Sequence, residues 1–181
     1  MARATASSGE IKVGLKQDIL WLLITIYSYN SRMRFDRIRE MSREDLQVEA
    51  ILLESASRDI VSRLAALDDD GKNNRSFQTL FSALKREGLD PSRTKDLDLK
   101  VKAFRQVVNG LKVSHRNSYI AHVATGAEVK PRVLDDPVDF APAASLAVNL
   151  LDDIDGRLLS YFFRLGSDGS IDLRKVLAES A

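Results

Sequence analysis

No cysteine occurs anywhere in this sequence. That excludes disulfides and thiolate metal centres and makes a reducing cytoplasm the expected compartment. Histidine is scarce too, with only His115 and His122. Two histidines seven positions apart on a helix sit about 10 Å apart along its axis, too far to share one metal ion. No metal site and no cofactor is therefore expected. The longest apolar run, Ile19 to Tyr27, falls well short of the ~20 residues that span a membrane. Lys16 and Asp18 crowd its start, and the polar lead from Thr5 to Gly9 is unlike a secretory signal. No membrane association is expected. There is no glycine-rich phosphate loop of the Walker or Rossmann kind, which argues against ATP hydrolysis through such a loop. A sustained two-residue alternation is also missing, so no sheet is expected.

What the chain does have is an ordinary globular balance, with 44% hydrophobic and 29% charged residues in 181, long enough to bury a core. The net charge of +1 hides a gradient. Between Lys100 and Arg132 there are seven cations (Lys100, Lys102, Arg105, Lys112, Arg116, Lys130, Arg132) and a single acid, Glu128. From Asp135 onward nine acids face four bases, and Arg32, Arg34, Arg37, Arg39 and Arg43 form a second basic cluster. Such asymmetry suits a polyanionic partner, RNA in particular. It also suits nothing more than solvated helix faces.

Helical periodicity runs almost throughout. Leu15, Ile19, Leu22, Leu23 and Ile26 predict a helix, whole or broken, from about Glu10 to Glu40. Ser42 with Asp45 opens a second, carried by Leu46, Ala50, Leu53, Ser57, Ile60, Val61 and Leu64 to about Leu67. Asp68 to Asn74 is a turn, without the alternate spacing of a calcium loop. A short helix spans Ser76 to Lys85 and ends near Gly88. Asp90-Pro91 then caps a long one through Leu97, Val101, Phe104, Val108 and Leu111, with Gly110 expected to loosen it. Ala124 to Ala141 reads as a loop. A closing helix is predicted from Pro142 to about Leu165, stopped by Gly166. Trp21 is expected in the core or a dimer interface, and Phe162 and Phe163 as core or interface contacts. At least two of Asp152, Asp153 and Asp155 are expected to face solvent. The expected architecture is all-α, a bundle of four to five main helices. Residues 1–9 would be a flexible tail, 10–166 one helical domain and 167–181 a C-terminal tail with at most one helical turn.

One segment of the long basic helix carries chemistry: Arg116-Asn117-Ser118-Tyr119-Ile120-Ala121-His122. Metal-free RNA cleavage needs a fixed cation on the phosphate and a group that exchanges protons near pH 7. Arg116 fits the first role, gripping the non-bridging oxygens, and His122 the second, as base or acid. Asn117 can orient the phosphate or the imidazole, and Tyr119 can stack on a base. On a continuous helix Arg116 and His122 lie roughly 120° apart, while His115, Tyr119 and His122 share a stripe. One histidine cannot readily serve as base and acid together. A twofold dimer with the motif at its interface would supply two. Lys102, Arg105 and Lys112 on the same helix are candidate RNA-binding cations.

This segment, on a long helix in an all-helical chain, resembles the HEPN superfamily, and in particular its abortive-infection type U branch, whose signature is Arg-(Asn/Asp)-x-x-Ile-Ala-His. The resemblance implies a metal-independent endoribonuclease acting as a homodimer, with Arg116 and His122 catalytic, Asn117 supporting and 2′,3′-cyclic phosphate ends as product. It also implies a toxin or antiphage role, with an antitoxin or another protein as partner. The tyrosine that some members carry two positions after the histidine is replaced here by Ala124, which argues against its modification as a control. Two other readings stand beside this one. The first is a non-catalytic helical module that dimerises or binds nucleic acid or a protein. The second is a nucleotide-binding module with Arg116 on a phosphate.

Overall fold

Local capping chemistry starts the helices. In the computed structural model, which describes residues 6–71, 74–119, 133–166 and 169–179, Ser7 and Glu10 form a reciprocal capping box that opens helix α1, Ser8–Arg32. Each satisfies a backbone N–H that the first helical turn leaves without a partner. Ser42 accepts from the Asp45 N–H at 3.1 Å and opens α3, Arg43–Leu67. Ser76 does the same with Thr79 for α4, Phe77–Arg86. The Asp90 carboxylate accepts from the N–H groups of Ser92 (2.9 Å) and Arg93 (3.1 Å) at the head of α5, Pro91–Tyr119. Between α1 and α3 lies the single turn α2, Phe35–Arg39, so the first predicted helix is a broken one. α6 covers Ala141–Asp155.

These elements make an all-α bundle. α1 lies at its centre, packed on α3, α4 and α6, while α5 packs on α3, α4 and α6. Leu15, Ile19 and Leu22 of α1, Leu53, Ile60 and Leu64 of α3, and Phe104 and Val108 of α5 are buried in one continuous core. Phe77 and Phe104 meet edge to face with ring centroids 5.1 Å apart, a geometry that adds to the area they bury. α6 presents Ala143, Ala144 and Ala147 to this core, small residues that let the helix approach closely.

The C-terminal expectations need correction. α6 stops at Asp155, where Gly156 takes a left-handed conformation (φ 76°) and ends the helix. Phe162–Leu165 forms strand β1, paired antiparallel with β2, Gly169–Asp172, in the register Phe162 to Asp172. A further helix, α7, Leu173–Glu179, follows and buries Leu173 and Leu177 against α1 and α6. The segment expected to be a tail is thus folded onto the body. Buried Asp152 anchors it, accepting the Leu159 N–H at 2.8 Å and the Arg174 guanidinium, while Arg174 also donates to the Leu159 carbonyl. Burial, then the Asp152 charge, pushes the Tyr161 hydroxyl far above its ordinary pKa, so it stays protonated. Four-residue strands are too short to show as a period.

Of the two places expected for Trp21, the core is excluded, since it is 56% exposed. Phe163 packs against the core as expected, while Phe162 is half exposed. Helix α5 runs through Gly110 without a break. All three α6 aspartates have partners: Asp152 as above, Asp153 with Lys100 at 2.9 Å, and Asp155 with Lys12 at 3.0 Å and Arg157 at 2.8 Å. Replacing Leu173 with alanine is expected to lower stability in urea denaturation by about 2–4 kcal/mol. An unchanged midpoint would mean that α7 is not docked.

Candidate functional site

Two pairings set α5 on α3. Near the start of their contact, the Arg105 Nε donates to both carboxylate oxygens of Asp68 at 3.1 Å, just beyond the end of α3. Ten residues further along α5 is His115, and ten residues back along α3 is Arg58, whose positive charge acts on the His115 ring. The helices therefore run antiparallel. The chain returns to α3 at Glu54, where the Val133 N–H donates to its carboxylate at 3.3 Å.

The motif helix carries the backbone of Arg116, Asn117 and Tyr119 in its last turns, just beyond the level at which His115 feels the Arg58 charge of mid-α3. His122 lies outside the described residues, as do the side chains of Arg116, Asn117 and Tyr119. His115 is half-buried. Burial and then the Arg58 charge hold its imidazole below the usual 6.5. It is the one histidine among the described residues, and its environment favours the neutral ring.

The basic residues expected to hold RNA are largely engaged within the chain. Arg105 holds Asp68, which is buried, and reaches the Asp70 carboxylate at 3.5 Å. The Asp68 pairing raises its already high pKa. Lys102 pairs with Asp98 at 2.5 Å, and Lys100 with both Asp96 and Asp153 at 2.9 Å. Lys112 is exposed. In the second cluster Arg32 grips buried Glu49 with two bonds of 2.7 Å, and Arg37 lies 3.6 Å from the same carboxylate. Arg105 and Arg32 thus hold buried acids, whereas Lys102, 70% exposed in a surface pair, and Lys112 still face solvent.

Sequence reasoning did not single out Glu54 or Arg58. Glu54 is buried, with Oε2 on the Val133 N–H and Oε1 without a hydrogen-bond partner among the described residues. Burying a carboxylate this way is costly. The available signal was an acid bordering the apolar stripe of Ala50, Leu53 and Ser57, on the face that periodicity turns inward. Arg58 and His115 bring a guanidinium and a neutral imidazole together near the last turns of α5. Anion stabilisation and proton exchange are the chemistry such groups offer.

A comparison of the chain with protein-family models, with curated proteins and with solved structures finds no match. No helix among the described residues is long and apolar enough to cross a membrane. Nor do three histidine or acidic side chains among them converge as a metal site would require.

Two outcomes follow. Arg105→Ala would leave Asp68 buried without its cation and is expected to cost about 3 kcal/mol in chemical denaturation. A stable variant that has lost only RNA affinity would reverse that assignment. His115 titrates lower in the folded chain than in the unfolded one, so the unfolded chain takes up the proton first as pH falls through 6.5. Stability is full above 6.5 and declines below it until the folded pKa is reached. His115→Gln should flatten that decline in melting temperature, and Arg58→Gln should raise the NMR titration midpoint of His115. A midpoint at or above 6.5 in the unaltered protein would refute both.

Proposed function

We propose that this protein is a metal-independent endoribonuclease of the HEPN kind, acting as a homodimer through Arg116 and His122. The observation that carries the reading is the Arg116–His122 heptapeptide, whose first four residues form the last turn of α5, the longest helix among the described residues. Two things support it. α5 is helical through Tyr119, so Arg116 and Asn117 are held on a packed element. His115, one residue before Arg116, lies in the field of Arg58, so the last turns of α5 approach a cation of α3.

In the proposed reaction a neutral imidazole takes the proton of the 2′-hydroxyl, whose oxygen attacks the adjacent phosphorus. Arg116 stabilises the charge on the non-bridging oxygens as the phosphorane forms. The bond to the 5′-oxygen then breaks, and a protonated imidazole delivers the proton to that leaving group. The products are a 2′,3′-cyclic phosphate and a 5′-hydroxyl. Because one imidazole starts neutral and the other protonated, the two histidines come from two copies. RNA binding rests on Lys112, Lys102 and Arg105 of α5 beside Arg116; the exposed Lys102–Asp98 pair is weak enough for a phosphate to displace, while Arg105 would have to share its charge with Asp68. A toxin or antiphage role with an antitoxin partner belongs to the same proposal, as does a cytoplasmic location, which suits a chain without cysteine.

The test is RNA cleavage by purified protein in excess EDTA, beside Arg116→Ala and His122→Ala proteins with unaltered circular dichroism. Cyclic-phosphate ends, with rates falling at least about a hundredfold in each variant, are expected. Cleavage that survives His122→Ala, or needs a divalent ion, would remove the mechanism. Salt-sensitive RNA binding without cleavage would favour a binding module instead.

A further inference from the structure

Between the end of α6 and the end of β1, burial alternates residue by residue. Leu159 and Tyr161 are buried and Phe163 packs against the core, while Leu158, Ser160, Phe162 and Arg164 are exposed. That is the pattern of a strand with one face on the core. Only its last four residues, β1, have a partner strand. The outward face is apolar where solvent should meet polar groups, with Leu158 79% exposed and Phe162 50%.

The backbone of this segment is satisfied along one edge. The Leu159 N–H donates to Asp152, and the Leu159 carbonyl accepts from Arg174. The Tyr161 carbonyl accepts the Leu173 N–H at 2.9 Å. In the register that pairs Phe162 with Asp172, this bond makes Phe163 and Leu165 the residues that exchange hydrogen bonds with β2. The N–H and carbonyl groups of Phe162 and Arg164 then point to the opposite edge. There neither they nor those of Leu158 and Ser160 find a partner among the described residues. From Leu158 to Arg164 the open edge runs about 20 Å, the length of an ordinary strand. It carries no proline or lysine, the residues that usually guard an edge.

We propose that this edge is the docking site for an extended segment of another protein, added as a third strand beside β1. The side chains define that segment. Residues opposite Leu158 and Phe162 share their face and are apolar, and the residue opposite Arg164 is acidic. Arg164 is exposed and has no ion pair among the described residues. The acid on the same face of the hairpin, Asp172, caps α7 instead, accepting the N–H groups of Arg174 at 3.0 Å and Lys175 at 3.3 Å. A second copy does not supply the match. None of the four outward residues is acidic, so two such edges set together leave both Arg164 charges unanswered. The partner strand therefore reads acid, apolar, polar, apolar at alternate positions. This surface is independent of the ribonuclease reading.

The probe is a fluorescent peptide with glutamate, valine, threonine and valine at alternate positions and threonine between them, used beside its reversed sequence. Titrated with the full chain, one of the two is expected to bind saturably. Phe162→Asp and Arg164→Glu should each weaken that binding at least about tenfold with little change in the melting curve, since both side chains are exposed. Arg164→Glu should in turn prefer the peptide with lysine in place of glutamate. Ser160→Pro removes one donor from the open edge and leaves the pairing with β2 intact, and it should weaken binding likewise. N-methylation of one alternate set of peptide residues should abolish binding, and of the other set should not. No binding by either peptide, or binding indifferent to Phe162→Asp and to N-methylation, overturns the proposal. A wild-type dimer that Ser160→Pro splits into monomers would make the occupant a second copy and overturn it as well.

Discussion

A buried carboxylate must find a cation or an N–H donor, and α3 with the residue that follows it buries three. Glu49 takes both arms of Arg32 at the end of α1 and lies near Arg37 of α2. Glu54 takes the Val133 N–H. Asp68 takes Arg105 of α5 and the Gln78 amide of α4. Each acid thus fastens a different part of the chain to one helix. Such pairs contribute little net stability, because desolvation offsets most of the attraction. Their effect is on arrangement. A shift of α3 by one turn would strand three acids at once, so the register of its neighbours is fixed more sharply than apolar contact alone would fix it.

The same fact explains why charge counting misleads here. The run from Lys100 to Arg132 carries seven cations against one acid in sequence, yet Lys100 and Arg105 spend their charge on Asp96, Asp153 and Asp68, which lie outside that run. Local net charge sums along the chain, whereas the field at a surface sums over space. Within the described part of α5 the cations left toward solvent are fewer than the composition implies. Recognition of a phosphate there depends on a few placed groups and less on a diffuse basic field.

The helices were legible because their signals are local. Ser42, Ser76 and Asp90 each cap the helix they precede, and Leu15 through Ile26 repeat at helical spacing. The C-terminal third was not legible for a physical reason. Leu158, Leu159 and Phe162 continue the apolar pattern of α6, and only Gly156, a residue that tolerates left-handed geometry, marks the true end. The hairpin that follows exists because Asp152 and Arg174 hold it from opposite ends, a contact twenty-two positions apart that no window detects. Trp21 lies outside the core because helix phase, and not the run of apolar neighbours, decides which residues face inward. At the candidate site, Arg116 and His122 stood out by residue type and spacing. Glu54 and Arg58 did not, because an acid and a base four apart on a helix look like an ordinary surface pair until the fold turns one of them inward.

One linkage binds the fold to the proposed chemistry. Arg105 on Asp68 sets how far α5 has slid along α3. The contact is remote from the motif, seventeen residues from His122 along the chain, yet a displacement of one helical residue, about 1.5 Å, would be carried undiminished along a rigid helix to the last turns of α5, which carry Arg116 and Asn117. In the proposed reaction an arginine misplaced by that much loses most of its effect on the phosphate. The ion pair at the far end of the helix contact is then more than a brace, because it sets where the motif stands along α3.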